Sequence, residues 1–399
     1  MVWPEPTSSA AGTRMVQLIQ LFQEYDYEIV FVSSAQESDF SYDLNSIGVV
    51  TKKVALNCSS FDDYIKELNP DMVLFDRFIS EEQFGWRVAE NCPTAIRVLD
   101  TEDLHCLRIT RQNAVKHKKE FQIDDLLDAE ISKREIASIY RCDLSLLISD
   151  FEMTVLQTVF KIDPSLLYYL PMFYNVDDAF LAYEDRKDFV FIGNFLHEPN
   201  YDAVIQLKSF WKQIKTKLPQ TKLNVYGAYP IQKVQQLHNE KEGFLIHGRA
   251  ENALEVIKSA RVLLAPLRFG GGIKGKLLEA MVVGTPSVTT TIGSEGISND
   301  SFWNGYIADD WEDFILKAIE LYSNTMVWNT SQLSGVDILK HKFSIDMYRV
   351  SFFNSIETLS NTLNTHRKFN FIGAILQKES HASTKFMSKW IEAKNKIAT

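Results

Sequence analysis

Short apolar runs alternate with amphipathic stretches along most of this chain. In the first half, runs rich in Val, Ile, Leu and Phe predict strands over 28–33, 71–75, 94–99 and 144–148. Between and around them, apolar residues at helical spacing predict helices over 13–25, 61–68, 81–91 and 123–140. Because strands that alternate with helices build a parallel sheet covered on both faces, the first half is predicted to be a doubly wound α/β unit.

The same alternation starts again after a polar, aromatic and acidic stretch at 171–186, which is the predicted linker. The second half has predicted strands over 189–193, 222–226, 244–247, 262–266 and 287–291, and predicted helices over 203–218, 231–239, 253–259 and 274–283. Helical spacing dominates from residue 311 onward. We therefore predict two Rossmann-like domains with parallel sheets, 1–178 and 179–345, followed by helices in 346–399.

The start of the chain departs from this pattern. A doubly wound domain normally opens with a central strand of ~5 residues, but only Met1, Val2 and Trp3 precede Pro4. Two interpretations stay open: a stunted first strand, or a natural start upstream of Met1.

The segment 262–296 carries the strongest chemical signal. A glycine-rich loop, 270–275, follows a predicted buried strand and leads into a predicted helix, which Gly284 would end. Free N–H groups and the helix dipole at such a helix start both favour a bound anion. Lys274 and Lys276 lie in the first turn, and Glu279 lies one turn from Lys276 on the same face. A cation for phosphate and a carboxylate for a diol predict a site for the ribose and diphosphate of a nucleotide; solvated surface lysines are the alternative.

A second cluster follows the predicted strand 94–99. Asp100, Glu102 and His105 lie beyond its carboxyl end, where open α/β sheets bind ligands. These side chains could orient an acceptor hydroxyl or take its proton, and they are the candidate catalytic residues. The alternative is helix capping by Asp100 or Thr101, with the other charges in water.

Composition limits the classes of partner. The chain has 399 residues, 45% hydrophobic and 24% charged, with a formal net charge of −10. A net negative charge argues against sequence-independent nucleic-acid binding, which needs a basic face; it leaves room for a local basic patch that contacts a membrane surface. No apolar run is long enough to span a bilayer and no signal peptide opens the sequence, so a cytoplasmic protein is predicted. Four scattered cysteines agree with free thiols in a reducing compartment, and no metal site is predicted.

The glycine-rich segment also resembles a known family. Leu278-Glu279-Ala280-Met281, Gly284-Thr285-Pro286 and the signature at 199–203, PNYDA, are similar to motifs of GT-B glycosyltransferases of the retaining family four group, the group 1 glycosyl transferases. The resemblance implies two Rossmann-like domains that face each other across a cleft. It also implies that the last helices cross back onto the first domain, with 380–396 as the returning element.

The resemblance assigns donor-binding roles. Glu279 would bind the ribose hydroxyls, and Lys276, which matches a basic residue of the subgroup that has the signature at 199–203, would bind the diphosphate. Lys274 stays a candidate donor-binding residue because it lies in the same first turn. The family usually has a glutamate eight positions before Glu279 that holds the sugar, but this chain has Gly271 there. The other candidate donor-binding residues are Gly12, Arg249, Arg268 and Gly272. For Gly12 the alternative is a capped helix start with Ser9 as N-cap, and for Arg268 it is a surface ion pair.

The activity implied by the resemblance is transfer of a sugar from a nucleoside-diphosphate sugar to an acceptor hydroxyl, with retention of configuration. The acceptor would be a carbohydrate, a lipid-linked molecule or a protein, and neither a cofactor nor a metal is expected. A non-catalytic nucleotide-sugar-binding or scaffold protein is an alternative, to which Gly271 gives weight. A sugar-nucleotide epimerase on the same fold is another, although the chain offers no clear acid/base pair for it.

Overall fold

The computed structural model describes residues 3–176, 180–298 and 302–397. Its strands form three parallel arrays: a pair β1-β2, a four-stranded sheet in the order β3-β4-β5-β6, and a six-stranded sheet in the order β12-β11-β10-β7-β8-β9. The strands are β1 Val30–Ser33, β2 Val50–Lys53, β3 Met72–Asp76, β4 Ile96–Asp100, β5 Leu144–Leu147, β6 Leu167–Tyr169, β7 Lys187–Ile192, β8 Leu223–Tyr226, β9 Phe244–Gly248, β10 Ala260–Ala265, β11 Ser287–Thr289 and β12 Gly305–Ile307.

Helices connect and cover these strands. They are α1 Ala10–Gln23, α2 Ser60–Leu68, α3 Arg77–Asn91, α4 His105–Lys116, α5 Asp125–Asp128, α6 Glu130–Arg141, α7 Asp150–Thr158, α8 Glu198–Lys217, α9 Gln232–Gln235, α10 Ala253–Ser259, α11 Gly275–Val282, α12 Thr291–Ser294, α13 Trp311–Ser323, α14 Thr325–Lys342, α15 Arg349–Phe369 and α16 Phe371–Ile397. The predicted α/β class with parallel sheets is confirmed. Among the described residues, no helix is both long and apolar enough to cross a membrane.

Local capping explains where several helices begin. The Ser9 side chain accepts a hydrogen bond from the Gly12 N–H at the start of α1, as expected for an N-cap. Ser149 caps α7 in the same way by accepting from the Glu152 N–H. The prediction of one helix over 123–140 is wrong. Ala129 has an extended conformation (ψ 125°) that separates α5 from α6.

Of the three residues before Pro4, where a first strand was considered, Met1 and Val2 lie outside the described residues. Trp3 lies outside the described strands but is buried with Met15 and Ile19 of α1, and Phe31 of β1 and Leu74 of β3 pack against the same cluster. Helix α1 therefore links the pair β1-β2 to the four-stranded sheet, because side chains from both pack against this cluster.

The polypeptide returns to its first half earlier than predicted. Phe352 and Phe353 of α15 are buried in one cluster with Leu18 and Phe22 of α1 and Val98 of β4. Helix α16 continues the return by packing on α3 and α6. The predicted element 380–396 is thus only the second part of the return, because the apolar residues that anchor it lie in α15.

Candidate donor-binding cleft

A cleft of about 520 Å³ opens between the four-stranded and six-stranded sheets. It is lined by the loop before α1, by residues that follow β3, β4 and β7, and by the glycine-rich loop after β10. Because the strands of each sheet are parallel, their carboxyl ends meet at one edge, and the two edges face the same space. The lining includes most of the predicted site residues: Glu102, His105, Arg249, Gly271, Gly272, Lys274, Lys276 and Glu279.

Two helix N-termini meet at this cleft. Ala10 begins α1 and Gly275 begins α11, and a Cβ added at Gly275 would lie 2.7 Å from the Ala10 Cβ. Gly272 has φ +58°, a conformation that favours glycine, just before α11. The first turns of two helices therefore face one space, and the positive ends of their dipoles favour an anion there.

Lys276 is the cation best placed for that anion. Its Nζ donates to Asn200 Oδ1 at 2.5 Å and lies 4.3 Å from the centre of the Phe191 ring. Asn200 in turn donates through Nδ2 to the Asn194 carbonyl oxygen at 2.8 Å, so the asparagine of the signature positions the lysine. Burial lowers the pKa of Lys276 to about 7, against the opposing effect of the Glu279 charge.

Glu279 shares the cleft with Lys276, three residues further along α11. Burial raises the pKa of its carboxyl, and the Lys276 charge opposes that rise. The half-buried Tyr174 is close enough for the Glu279 charge to contribute to the raised pKa of its hydroxyl, of which burial is the main cause. A half-buried carboxylate beside a cation suits recognition of hydroxyl groups, because a desolvated acceptor gains more from each hydrogen bond.

Lys274 has a different environment. It is buried, its Nζ donates to the Gly272 carbonyl oxygen at 2.9 Å, and burial lowers its pKa. The side chain thus folds back on the glycine-rich loop that contains it. This contact indicates that Lys274 shapes the loop, although it also lines the cleft.

On the opposite wall, three side chains form a polar cluster. Asp103 accepts from Arg108 Nε at 2.6 Å, and His105 Nε2 lies 3.4 Å from Asp103 Oδ1. Burial tends to raise the pKa of Asp103, but the charges of Arg108 and His105 lower it to about 2. Burial also lowers the pKa of His105 to about 4, so its imidazole is neutral at pH 7. The cluster offers a charged carboxylate and a neutral ring that can donate or accept one hydrogen bond.

Asp103 also occupies the space beside position 271. A Cβ added at Gly271 would lie 2.9 Å from Asp103 Oδ2 and 3.2 Å from Glu152 Oε1. A larger side chain at this position would therefore meet two carboxyl groups. A glycine at position 271 is therefore needed for the loop backbone to approach these two carboxyl groups. Asp103 places a carboxylate next to position 271, where the family that the sequence resembles usually has a glutamate.

Sequence reasoning missed two buried carboxyl groups that hold these loops. Glu152 Oε1 accepts from the Gly272 N–H at 2.7 Å and from the Leu104 N–H at 3.0 Å, and burial raises the pKa of this carboxyl to about 8. Glu135 accepts from the N–H groups of His105 and Cys106 at 2.9 and 2.8 Å. In the sequence, Ser149-Asp150-Phe151-Glu152 has the pattern of a capping box, which indicates a local role for Glu152 at the start of α7 and not this long-range one.

A salt bridge joins the same two walls. Arg111 of α4 forms a bidentate pair with Glu295 at 2.6 and 2.7 Å and donates to the Gly270 carbonyl oxygen at 3.1 Å. Both side chains are largely buried, so the pair is screened little by water. This contact holds the glycine-rich loop against the first half of the chain.

Three of the predicted site residues lie outside the cleft lining. Asp100 is fully buried and pairs with Arg14 at 3.3 Å, so it cannot reach an acceptor from this position. Gly12 lies in the first turn of α1 against the backbone of Glu5, where a Cβ would approach within 2.3 Å. Arg268 pairs with Asp202 of the signature, as its alternative interpretation anticipated.

The two remaining predicted residues do reach the cleft. Glu102 lines it in the left-handed conformation (φ +61°), and burial raises the pKa of its carboxyl well above the usual range. Backbone strain of this kind is retained where the surroundings impose it, commonly at functional sites. Arg249 lines the cleft and donates to Thr7 Oγ1 at 2.7 Å, with its guanidinium 3.9 Å from the centre of the Phe40 ring.

Comparison with known proteins agrees with this geometry. Residues 186–324 match the family model described as glycosyl transferases group 1. Sucrose-phosphate synthase from Thermosynechococcus elongatus superposes with a TM-score of 0.67 at 13% identity, covering 90% of this chain and 97% of that one. HepE from Anabaena, solved with UDP and glucose, has a TM-score of 0.67 at 11% identity, covering 90% and 98%. No curated protein matches the sequence.

A third solved structure is longer than this chain. TarM from S. aureus, solved with UDP, superposes with a TM-score of 0.57 at 14% identity and covers 75% of this chain. This chain spans only 58% of the length of that TarM chain. At these identities the likeness of the solved structures shows the fold. Residues 186–324 are therefore similar to the glycosyl transferases group 1 family, and the chain that contains them has the GT-B fold.

Proposed function

We propose that this protein is a glycosyltransferase that uses a nucleoside-diphosphate sugar as donor. The observation that carries the proposal is the meeting of two helix N-termini, the glycine-rich loop and Lys276 in one cleft. A diphosphate is the anion that fits this arrangement, because backbone N–H groups and a cation surround one space. Solved neighbours that contain UDP with a sugar, HepE and the pneumococcal O-GlcNAc transferase GtfA, support the same choice of ligand.

In this proposal the residues of α11 bind the nucleotide. Lys276 and the first-turn N–H groups hold the diphosphate, and Glu279 accepts hydrogen bonds from the ribose hydroxyls. When the bond to the sugar breaks, negative charge grows on the departing diphosphate. Donors already aimed at that position stabilise the charge without reorganising, and this is the main source of rate acceleration we propose.

The sugar would then face the opposite wall. Asp103 stands next to Gly271 and is ionised at neutral pH, so it can accept hydrogen bonds from sugar hydroxyls. His105, neutral because of its burial, can accept from or donate to a hydroxyl of the sugar or the acceptor. Glu102, with its raised pKa, can donate a hydrogen bond as the neutral acid.

We propose retention of configuration at the transferred carbon. The resemblance of the segment 262–296 to the retaining family four group supports this outcome. The acceptor hydroxyl would belong to a carbohydrate, a lipid-linked molecule or a protein, and the product would serve the synthesis of a glycan or polysaccharide. The reaction would take place in the cytoplasm, where sugar nucleotides are made, and is proposed to need no metal ion.

The first experiment is a thermal-shift screen of the full chain with UDP, GDP and ADP. A ligand that binds the folded state raises the apparent stability, so the best nucleotide identifies the donor class. Lys276→Ala and Glu279→Ala are expected to lose most of the shift, while Lys212→Ala, an exposed lysine on α8, keeps it. Equal shifts in wild type and Lys276→Ala would contradict the placement of the diphosphate.

The second experiment separates a transferase from a binding protein. The donor built on the best nucleotide is incubated with candidate acceptors, with and without EDTA, and products are analysed by mass spectrometry and proton NMR. Transfer with the donor's anomeric configuration preserved, and unaffected by EDTA, is the expected result. Tight donor binding without any release of nucleoside diphosphate would favour the scaffold alternative instead.

A further inference from the structure

The C-terminal helix α16 packs on the protein through its polar side. A Cβ added at Gly373 would lie 2.2 Å from the Tyr140 carbonyl oxygen, so the helix approaches α6 closely. Gln377 Nε2 donates to the Arg141 carbonyl oxygen at 2.8 Å, and Ser388 Oγ accepts from the buried Arg87 at 3.0 Å. Small and polar residues therefore form the protein-facing side.

The opposite side of α16 is apolar and faces solvent. Phe371, Ile372, Ile375, Phe386 and Trp390 have exposed fractions of 70%, 51%, 48%, 67% and 60%. They are separated mainly by three, four or eleven residues, and each of these separations returns to the same face of an α-helix. The side chains therefore form one stripe along the helix. A helix on a globular protein normally has the reverse arrangement, with its apolar side inward. We refer to these five residues as the outer stripe.

Positive charge accompanies the outer stripe. Helix α16 contains five Lys but only two Glu, in a chain whose net charge is −10. One of the five, Lys385, pairs with Glu90 of α3. Lys389 and Lys394 are exposed. The Nζ of Lys394 lies 5.3 Å from the centre of the Trp390 ring. Exposed lysines therefore lie on the same helix as the exposed apolar rings.

We infer that α16 binds the surface of an anionic lipid bilayer, with the outer stripe inserted at the headgroup level. Apolar side chains with Trp and Phe on one face, and lysines beside them, are the chemistry of a helix that lies in a membrane interface. The helix would lie on the membrane and not cross it. A second copy of this chain fits the stripe less well, because pairing two such helices would bring their positive charges together.

The outer stripe and the donor cleft have no residue in common, but both are connected to helix α3. Helix α16 packs on α3, and Arg77 at the start of α3 lines the cleft. Attachment through α16 would therefore hold the first half of the chain, with its polar cluster of Asp103 and His105, near the bilayer. A lipid-linked acceptor would suit that arrangement, although binding itself requires no activity.

The test is flotation of the full chain with vesicles of phosphatidylcholine, with and without phosphatidylglycerol. Wild type is expected to float with the anionic vesicles only and to be released by high salt. Phe386→Ser combined with Trp390→Ser should weaken binding by about tenfold or more, because two inserted rings are removed. Lys389→Glu combined with Lys394→Glu should do the same. The matched control, Met326→Ser with Leu333→Ser, alters exposed apolar residues of α14 and should bind like wild type.

Trp390 supplies a second measurement. It is exposed, whereas Trp3, Trp86, Trp211 and Trp303 are buried. Its fluorescence should shift to shorter wavelength on anionic vesicles and become quenched by brominated lipid. Flotation of neither vesicle type, or equal binding to both, overturns the inference. The inference is also overturned if light scattering shows that the wild type is a dimer and that the variant with both Phe386→Ser and Trp390→Ser is a monomer. The outer stripe would then be a dimer interface. Lys276→Ala should float normally, so failure of donor binding and failure of membrane binding are distinguishable.

Discussion

The most informative perturbation is the protonation of Lys276. Its ammonium group is surrounded by Asn200 Oδ1 at 2.5 Å and the Phe191 ring at 4.3 Å, and burial lowers its pKa to about 7. If a diphosphate binds there, its charge favours the protonated lysine and raises the pKa in the complex. Binding at or above neutral pH should therefore be accompanied by uptake of a proton.

The size of the effect follows from the pKa. Only the protonated form of Lys276 attracts the anion. Well above pH 7, the protonated fraction falls by about tenfold for each pH unit. Between pH 7 and about pH 8.5 it falls from about one half to about 3%, so the dissociation constant should rise by about 15-fold, or about 1.6 kcal/mol. The ligand's own phosphate is already ionised over this range, since its last pKa is near 6.

Titration calorimetry can measure this directly. UDP, GDP or ADP, whichever binds most tightly, is titrated at a series of pH values in two buffers with different ionisation enthalpies. About half a proton should be taken up per ligand at pH 7 and nearly one at pH 8.5. Lys276→Met should bind weakly with little dependence on pH, and Lys212→Ala should behave like wild type. A flat affinity for wild type across this range would refute the placement of Lys276 beside the diphosphate.

Three further predictions test the framework around the site. Gly271→Glu should weaken nucleoside-diphosphate binding by about tenfold and not improve it, because the new side chain meets Asp103; calorimetry with the added Asp103→Ser change should show partial recovery. Glu152→Ala should lower the free energy of unfolding by about 2–4 kcal/mol, because two buried N–H groups lose their acceptor, whereas Glu152→Gln keeps it. Because the folded pKa of Glu152, about 8, lies above its usual 4.5, its protonation stabilises the fold at low pH. That contribution fades as pH rises through 8, so Glu152→Gln should be the more stable protein above that pH in urea unfolding, and a variant less stable than wild type there would contradict it. Glu81→Ala should cost about 3–5 kcal/mol by leaving Arg141 buried without this partner, against less than about 1 kcal/mol for Glu82→Ala in an exposed pair; similar costs would show that burial does not decide the difference.

Local patterns in the sequence were enough for much of the fold. Apolar periodicity located most strands and helices to within a few residues, and the Ser9 cap, the glycine-rich loop and the start of α11 were visible in advance. These features depend on residues that are close in the chain, so the sequence contains all their physical causes. The spacing of Lys276 and Glu279 on one face is likewise a consequence of helix geometry alone.

Contacts between distant residues required the tertiary structure. Asp100, the last residue of β4, and Asp103 just after it look equivalent in the sequence, but one is enclosed beside Arg14 and the other reaches the cleft beside Gly271. The difference arises from how α1 and the glycine-rich loop pack around that strand end, which no local pattern encodes. Burial also sets the pKa of Lys276 and Glu152, since desolvation depends on every neighbour and not on residue type.

The same division holds for the C-terminal helix. Its sequence shows helical spacing and five lysines, but not which side packs on the protein. The close approach of Gly373 to α6 and the bond from Arg87 to Ser388 turn the polar side inward. Amphipathicity was therefore determined by the amino-acid order, whereas its orientation was decided by packing, because an apolar stripe can face either a core or an external surface.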